Sequence, residues 1–274
     1  MAEIKSADIV KLRKATGAGM MDCKKALQEA EGDFEKAIQV LRKKGQAIAS
    51  KRASREATEG VVAARVKGNF GVIVGLNCET DFVAKNEEFV KLNNSILDLA
   101  LIEKPSTLDS LKALQMDGKT LGEVVTEHSG KIGEKIEVGY YDFLEAEKVQ
   151  AYNHFSHNLS TLVGFNKADV DDQVARDIAM QVAAMSPVAV DRDDVPEDII
   201  AREKELGREK ALQEGKPENI VDRIAEGMVN KFLKENTLLN QDFTKDSKRT
   251  VGQYLKEADK DLKVTGFKRF SVKD

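Results

Sequence analysis

Two histidines three positions apart, His154 and His157 in YNHFSHNL, have a spacing that could do chemistry, because an H-x-x-H pair can share one metal ion. No pattern for a third ligand stands nearby, so no metal site is expected. Cys23 and Cys78 lie far apart, and neither belongs to a CxxC or Cys/His set, so two buried free thiols are expected. An enzyme would need a nucleophile with its base, paired carboxylates in a pocket, or a phosphate loop. GxxxxGK[ST] is absent, and the glycines of GNFGVIVG sit within a hairpin rather than between a strand and a helix. No catalytic residue and no cofactor are therefore expected. What remains is Thr80-Asp81-Phe82-Val83, an aromatic ring beside a carboxylate at the end of the apolar run GVIVGLN. Such a set makes no bonds but can press on another protein. Phe82 then acts as a wedge with Asp81 as its charge, or else Phe82 folds back into its own core and Asp81 caps the turn.

The elements that carry this stretch are readable. EGVVAARVKGNFGVIVGLN is rich in valine and broken by Gly68-Asn69, a hairpin signal. A helix follows from about Asn86, with Glu87 and Glu88 suited to its N-terminal dipole and Phe89, Leu92, Ile96 and Leu99 on one side. The same order recurs: NFGVIVGLN at 69–77 aligns without gaps on NLSTLVGFN at 158–166, an offset of 89. Each copy runs into an amphipathic helix ending near a proline, Pro105 or Pro187. Asn77 to Pro105 spans 28 positions and Asn166 to Pro187 spans 21. The first copy is therefore expected to carry its excess around CETDFVAK, and an extension that the second copy does without is a better functional candidate than a core residue.

Ahead of the repeat, the first 45 residues read as three short helices. Ser6 can cap the first through Arg13. Cys23, Ala26, Leu27 and Ala30 stripe the second, and Phe34, Ala37, Ile38 and Leu41 the third, which Asp33 caps and Gly45 stops. Met20 and Met21 at the intervening turn either adapt to a partner or close the bundle. RKKGQAIASKRASR, residues 42–55, holds six basic residues and no acidic one. Without interleaved aromatics it reads as a solvated tether in preference to a nucleic-acid contact. Residues 196–233 form two helical stretches joined at Gly215-Lys216-Pro217, an antiparallel hairpin. Ile199 with Leu206 and Ile220 with Ile224 are too few for a long coiled coil. His128 has no readable role.

The formal net charge of −4 gives no global field for nucleic acid or an anionic membrane. No apolar stretch approaches the roughly 20 residues of a membrane span, and MAEIKSADIVKL lacks the apolar core of a leader. A cytoplasmic protein is expected, with no membrane partner and no direct nucleic-acid partner.

LRKATGAGMMDCKKALQEAEGDFEKAI and LNCETDFVAKNEEF resemble the two signature stretches of the bacterial elongation factor Ts family, the guanine nucleotide exchange factors of elongation factor Tu. The resemblance continues through KIGEKI, TVGQYLKE and VTGFKRF and covers essentially the whole chain. It implies an α+β fold: a ubiquitin-associated-like three-helix domain (1–45), a basic linker (46–58), a core subdomain (59–148), a similar second one (149–192 and 235–274), and a helical hairpin inserted at 193–234. It implies that the factor binds elongation factor Tu, GDP-bound and nucleotide-free. Thr80, Asp81, Phe82 and Val83 would then dislocate the partner's Mg²⁺ and loosen the diphosphate, so that GDP leaves and GTP can replace it. Met20, Met21, Lys24 and Lys25 would rest on the GTPase domain, and His154, in a YxH context, is carried over as a further contact. The hairpin can serve a homodimer of the complex or remain a protruding arm. Some members continue into a C-terminal helix that touches the GTPase, whereas this sequence ends at Asp274, which shifts the expected grip toward the N-terminal module. Leu159-Ser160-Thr161 stand where a glycine-containing strand is usual, with altered local packing expected.

Overall fold

The structure is a computed structural model and describes residues 4–273. In chain order its elements are α1 (Ser6–Thr16), α2 (Met20–Glu29), α3 (Phe34–Arg52), β1 (Glu59–Lys67), β2 (Phe70–Cys78), α4 (Asp81–Ala84), α5 (Glu87–Glu103), α6 (Leu108–Ala113), β3 (Gln115–Met116), β4 (Lys119–Thr120), α7 (Leu121–Ile132) and β5 (Ile136–Glu145). There follow β6 (Lys148–Asn153), β7 (Leu159–Phe165), α8 (Asp172–Met185), α9 (Glu197–Gln213), α10 (Glu218–Asn236), β8 (Asp242–Phe243), β9 (Asp246–Thr250), α11 (Val251–Ala258) and β10 (Val264–Ser271). Two three-stranded sheets, ordered β1-β2-β5 and β10-β7-β6, alternate with helices in an α+β fold. Contacts divide the chain into two compact units. One holds the residues up to Ala63, Val74–Asp142 and the residues from Ser271; the other holds Ala64–Ile73 and Phe143–Phe270. No helix among the described residues is long and apolar enough to cross a membrane.

In the first unit, α1 to α3 bury Leu12, Cys23, Leu27 and Ala37 as one small core. The chain reverses after α1 at Gly17, whose φ of 66° is open to glycine, and its amide donates to the Arg13 carbonyl at 2.7 Å. Asp33 caps α3 by accepting from the Lys36 amide. That helix does not stop at Gly45. It runs on to Arg52, so residues 46–52 are helical where a tether was expected. Gly45 serves packing, facing Gly130 of α7 backbone to backbone. The basic residues are engaged as well: Arg42 pairs with Glu127 at 3.0 Å and Glu123 at 3.5 Å, Lys44 with Asp22, and Arg52 with Glu79 at 2.8 Å. Acids distant in sequence thus pair with four of the six basic residues, Arg55 sharing Glu79 with Arg52.

The two strand-helix copies emerge where the internal match placed them. β2 and β7 start at the same point of the aligned segments, and both are buried nearly throughout. Gly68, with φ of 64°, turns β1 into β2. Asn86 caps α5 by accepting from the Glu88 amide, and Phe89, Leu92 and Ile96 are buried while Leu99 is half-buried. The extra length of the first copy is not concentrated at the tip. Residues 79–86 connect β2 to α5 and residues 166–171 connect β7 to α8, while α5 has 17 residues against 14 in α8. What sets the first connection apart is the single turn α4.

In the second unit, β7 pairs with β6 in antiparallel register, Ala151 opposite Leu162. Ser160 and Thr161 are buried but satisfied, Thr161 Oγ1 donating to the Ala179 carbonyl at 3.0 Å and Ser160 Oγ to Asn153 Oδ1 at 2.8 Å. The polar pair thus ties the strand to α8 and β6. α9 and α10 form the hairpin, turning at Gly215, with Gly207 against Ala225 and Arg208 bound to Asp222 at 2.7 Å.

Candidate functional site

β2 delivers the chain into a short connection held by several side-chain hydrogen bonds. Cys78 is buried, its thiol pushed up to about 12 by that burial, and its Sγ donates to the Thr80 carbonyl at 3.2 Å. Both cysteines are buried free thiols. Glu79 turns inward. It accepts from Arg52 Nη1 at 2.8 and 3.0 Å, Arg55 Nη1 at 3.0 Å and the Lys135 amide at 2.6 Å. Burial works to raise its pKa, but the Lys135 amide and the two guanidinium groups outweigh it and bring the carboxyl down to about 2. Thr80 follows in extended conformation as the N-cap of α4. Its amide donates to Glu134 Oε2 at 3.0 Å and its hydroxyl to Glu134 Oε1 at 2.7 Å.

From Thr80 the chain winds one turn, Ala84 N–H reaching the Thr80 carbonyl at 3.2 Å and Lys85 N–H the Asp81 carbonyl at 3.1 Å. Ala84 is the buried residue of the turn and Val83 is half-buried. Asp81 does not cap: its carboxylate takes the Lys85 ammonium at 2.6 Å, which holds its pKa below the usual carboxylate range. Phe82 does not fold back. It stands 82% exposed, a ring lifted off the surface on a turn secured at both ends. So exposed, the ring adds little to the packing of its own chain.

The remaining sequence-derived candidates fall in two places. Met20, Met21, Lys24 and Lys25 occupy the first turns of α2, whose core face is made by Cys23, Ala26 and Leu27. The methionines are 40% and 64% exposed, and both lysines are exposed, so the bundle closes without them. His154 belongs to the other unit, on the β6–β7 turn, half-buried with Nδ1 at 3.1 Å from the Tyr152 hydroxyl. The H-x-x-H spacing is that of the turn itself, since the His157 amide donates to the His154 carbonyl at 2.9 Å. Among the described residues no cluster of histidine, cysteine and carboxylate side chains could hold a metal. His128 Nδ1 lies 2.9 Å from the Val124 carbonyl, one helical turn back.

Sequence reading passes over two sets of residues. Phe155, 83% exposed, has its ring centroid 4.3 Å from that of His154, and only its position between two histidines in a polar segment hinted at exposure. Glu79, Glu134, Arg52 and Arg55 leave no periodic signal, because their partners are 24 to 56 positions away.

Comparison with known proteins agrees with this outline. The family model described as Elongation factor TS matches residues 79–274, from the start of the tip onward. The chain is 52% identical to the elongation factor Ts of Porphyromonas gingivalis over 266 residues, 97% of each chain. It is also 52% identical to that of Azobacteroides pseudotrichonymphae over 265 residues, again 97% of each. With the protein of Christiangramia forsetii it shares 47% over 275 residues, covering 99% of this chain and all of the other. Matched over nearly its whole length at this level, and carrying the signature stretches from α1 into α3 and from β2 into α5, the chain belongs to the elongation factor Ts family and is a translation elongation factor.

Proposed function

We propose that this chain is the guanine nucleotide exchange factor of elongation factor Tu, acting in the cytoplasm by binding the GDP-loaded GTPase, displacing its Mg²⁺ and loosening the diphosphate. The observation that carries the proposal is Phe82, 82% exposed beside Asp81 on a held turn with no internal role. A P-loop GTPase grips GDP through backbone amides and a lysine around the phosphates, with Mg²⁺ in strict octahedral geometry. Small displacements there are expensive, so a ring and a carboxylate inserted nearby disturb the site without reacting. The factor works by binding the nucleotide-free conformation better than the loaded one. By linkage it weakens GDP as much as GDP weakens the factor.

In this reading Thr80, Asp81, Phe82 and Val83 form the working tip. Met20, Met21, Lys24 and Lys25 on the N-terminal module, and His154 on the second unit, broaden the grip. The hairpin exposes Leu206, Leu212 and Ile220, the apolar positions a homodimer of the complex would cover. A nucleic-acid role for the basic run is disfavoured because Arg42, Lys44, Arg52 and Arg55 are paired with internal acids.

The test is release of fluorescently labelled GDP from elongation factor Tu on addition of the intact chain. Release should accelerate and saturate with factor concentration, and excess GDP with Mg²⁺ should dissociate the complex. Release at the spontaneous rate, with a complex indifferent to GDP, would reject the proposal.

A further inference from the structure

A four-residue helix cannot hold its own shape: the nucleus of a helix is unfavourable, and α4 closes only one turn. Phe82 is exposed, so burial of the ring does not secure it either. Yet the turn must be preformed if its insertion is not to lose the ordering entropy of the segment. Besides the Cys78 thiol, which donates to the Thr80 carbonyl, two carboxylates fix its entry. Glu134, from the link between α7 and β5, takes both the amide and the hydroxyl of Thr80 at 3.0 and 2.7 Å. Glu79 in return takes the amide of Lys135 at 2.6 Å. Residues 79–80 and 134–135 therefore interlock reciprocally, each segment's acid holding the other's backbone N–H. Glu79 also binds Arg52, the last residue of α3, and Arg55 just beyond it, so the end of the helix leading out of the three-helix module meets the same lock.

We propose that Glu134 and Glu79 are positioning residues of the exchange tip, clamping the entry to α4 so that Phe82 is presented in one geometry, with Arg52 and Arg55 coupling the tip to the three-helix module. The proposal rests on the reading of Phe82 as the working group. Charge-assisted hydrogen bonds are among the stronger polar contacts, and here one carboxylate accepts two on a single residue, one from the backbone N–H and one from the hydroxyl. Removing Glu134 leaves the Thr80 amide and hydroxyl without their acceptor and releases the start of the turn. The ring is still there but is no longer aimed.

The experiment compares intact wild type, Glu134→Ala, Glu134→Gln, Phe82→Ala and the double variant Phe82→Ala/Glu134→Ala. It reads the plateau rate of labelled-GDP release at saturating factor, the concentration for half-plateau, and the thermal melt. Glu134→Ala should lower the plateau by about tenfold while melting as a folded protein. Glu134→Gln keeps one acceptor oxygen and should recover part of the loss. Because Glu134 acts through Phe82, the double variant should be no slower than Phe82→Ala alone. Thr80→Val, which keeps the side-chain shape and removes the hydroxyl donor, should also lower the plateau and serves where Glu134→Ala does not fold. A wild-type plateau for both Glu134→Ala and Thr80→Val overturns the clamp, as does a double variant whose two losses multiply. A wild-type plateau for Phe82→Ala instead removes the tip assignment itself, a different failure from that of the clamp.

Discussion

Replacing Phe82 with alanine is expected to lower the plateau rate of GDP release from elongation factor Tu while leaving the melting temperature of the protein nearly unchanged. The ring is 82% exposed in the isolated chain, so its loss removes little folded-state burial. Surface changes of this kind stay within about 0.5 kcal/mol of wild type. Under the proposed function the same ring becomes buried in the complex, which supplies roughly 1.5–3 kcal/mol. With about 1.4 kcal/mol per tenfold, the plateau should fall by roughly one to two orders of magnitude. The effect belongs in the plateau rather than in the half-saturating concentration, because the tip is engaged when the nucleotide is loosened and less before. Phe89 supplies the contrast. It is fully buried at the start of α5, and its alanine variant should lose about 3–5 kcal/mol of folding stability. A rapid-mixing release assay paired with a thermal melt separates the two behaviours.

The second large effect lies where α3 crosses α7, and there two similar substitutions should act with opposite sign. Alanine for glycine inside a helix ordinarily stabilises by about 1 kcal/mol. At Gly45 that gain is available, because an added Cβ sits 3.5 Å from the Gly130 Cα in ordinary contact. At Gly130 an added Cβ runs into the backbone Cα, C and O of Gly45, atoms that cannot swing aside as a side chain would. Overpacking of this kind costs about 1–3 kcal/mol, and with backbone on both sides the upper part of that range applies. Gly130→Ala should therefore lower the melting temperature by several degrees, at about 2–4 °C per kcal/mol, and Gly45→Ala should raise it or leave it alone. Gly130→Ala should also slow nucleotide release, because spreading α3 from α7 moves Arg52 away from Glu79. Melts in which both variants shift in the same direction would mean that the crossing is looser than the structure shows.

Much of this was legible because local rules and the final fold agree. The ungapped match between residues 69–77 and 158–166 located β2 and β7, and Asp33 and Asn86 cap the helices they precede. The stop at Gly45 failed for a stated reason: glycine after an apolar stripe signals a C-cap, but this one keeps helical geometry and pays in propensity for a close approach to Gly130. The tether failed likewise, because the acids that meet Arg42, Arg52 and Arg55 come from residues 79, 123 and 127, and side-chain pairing at such separation leaves no periodicity. At the tip, residue types left two readings open, and the choice between a ring turned inward and one turned outward is made by tertiary contacts. Ala84 takes the inward position, so Phe82 two residues earlier points out.

The most direct measurement places the photo-crosslinker benzoylphenylalanine at position 82 of the intact chain and maps where it attaches to elongation factor Tu. The account predicts attachment within the nucleotide-binding domain beside the Mg²⁺ and phosphate site, strongest without nucleotide and suppressed by GDP with Mg²⁺. Attachment only within the factor's own chain, or to a region of the partner remote from the nucleotide and indifferent to it, would contradict the account.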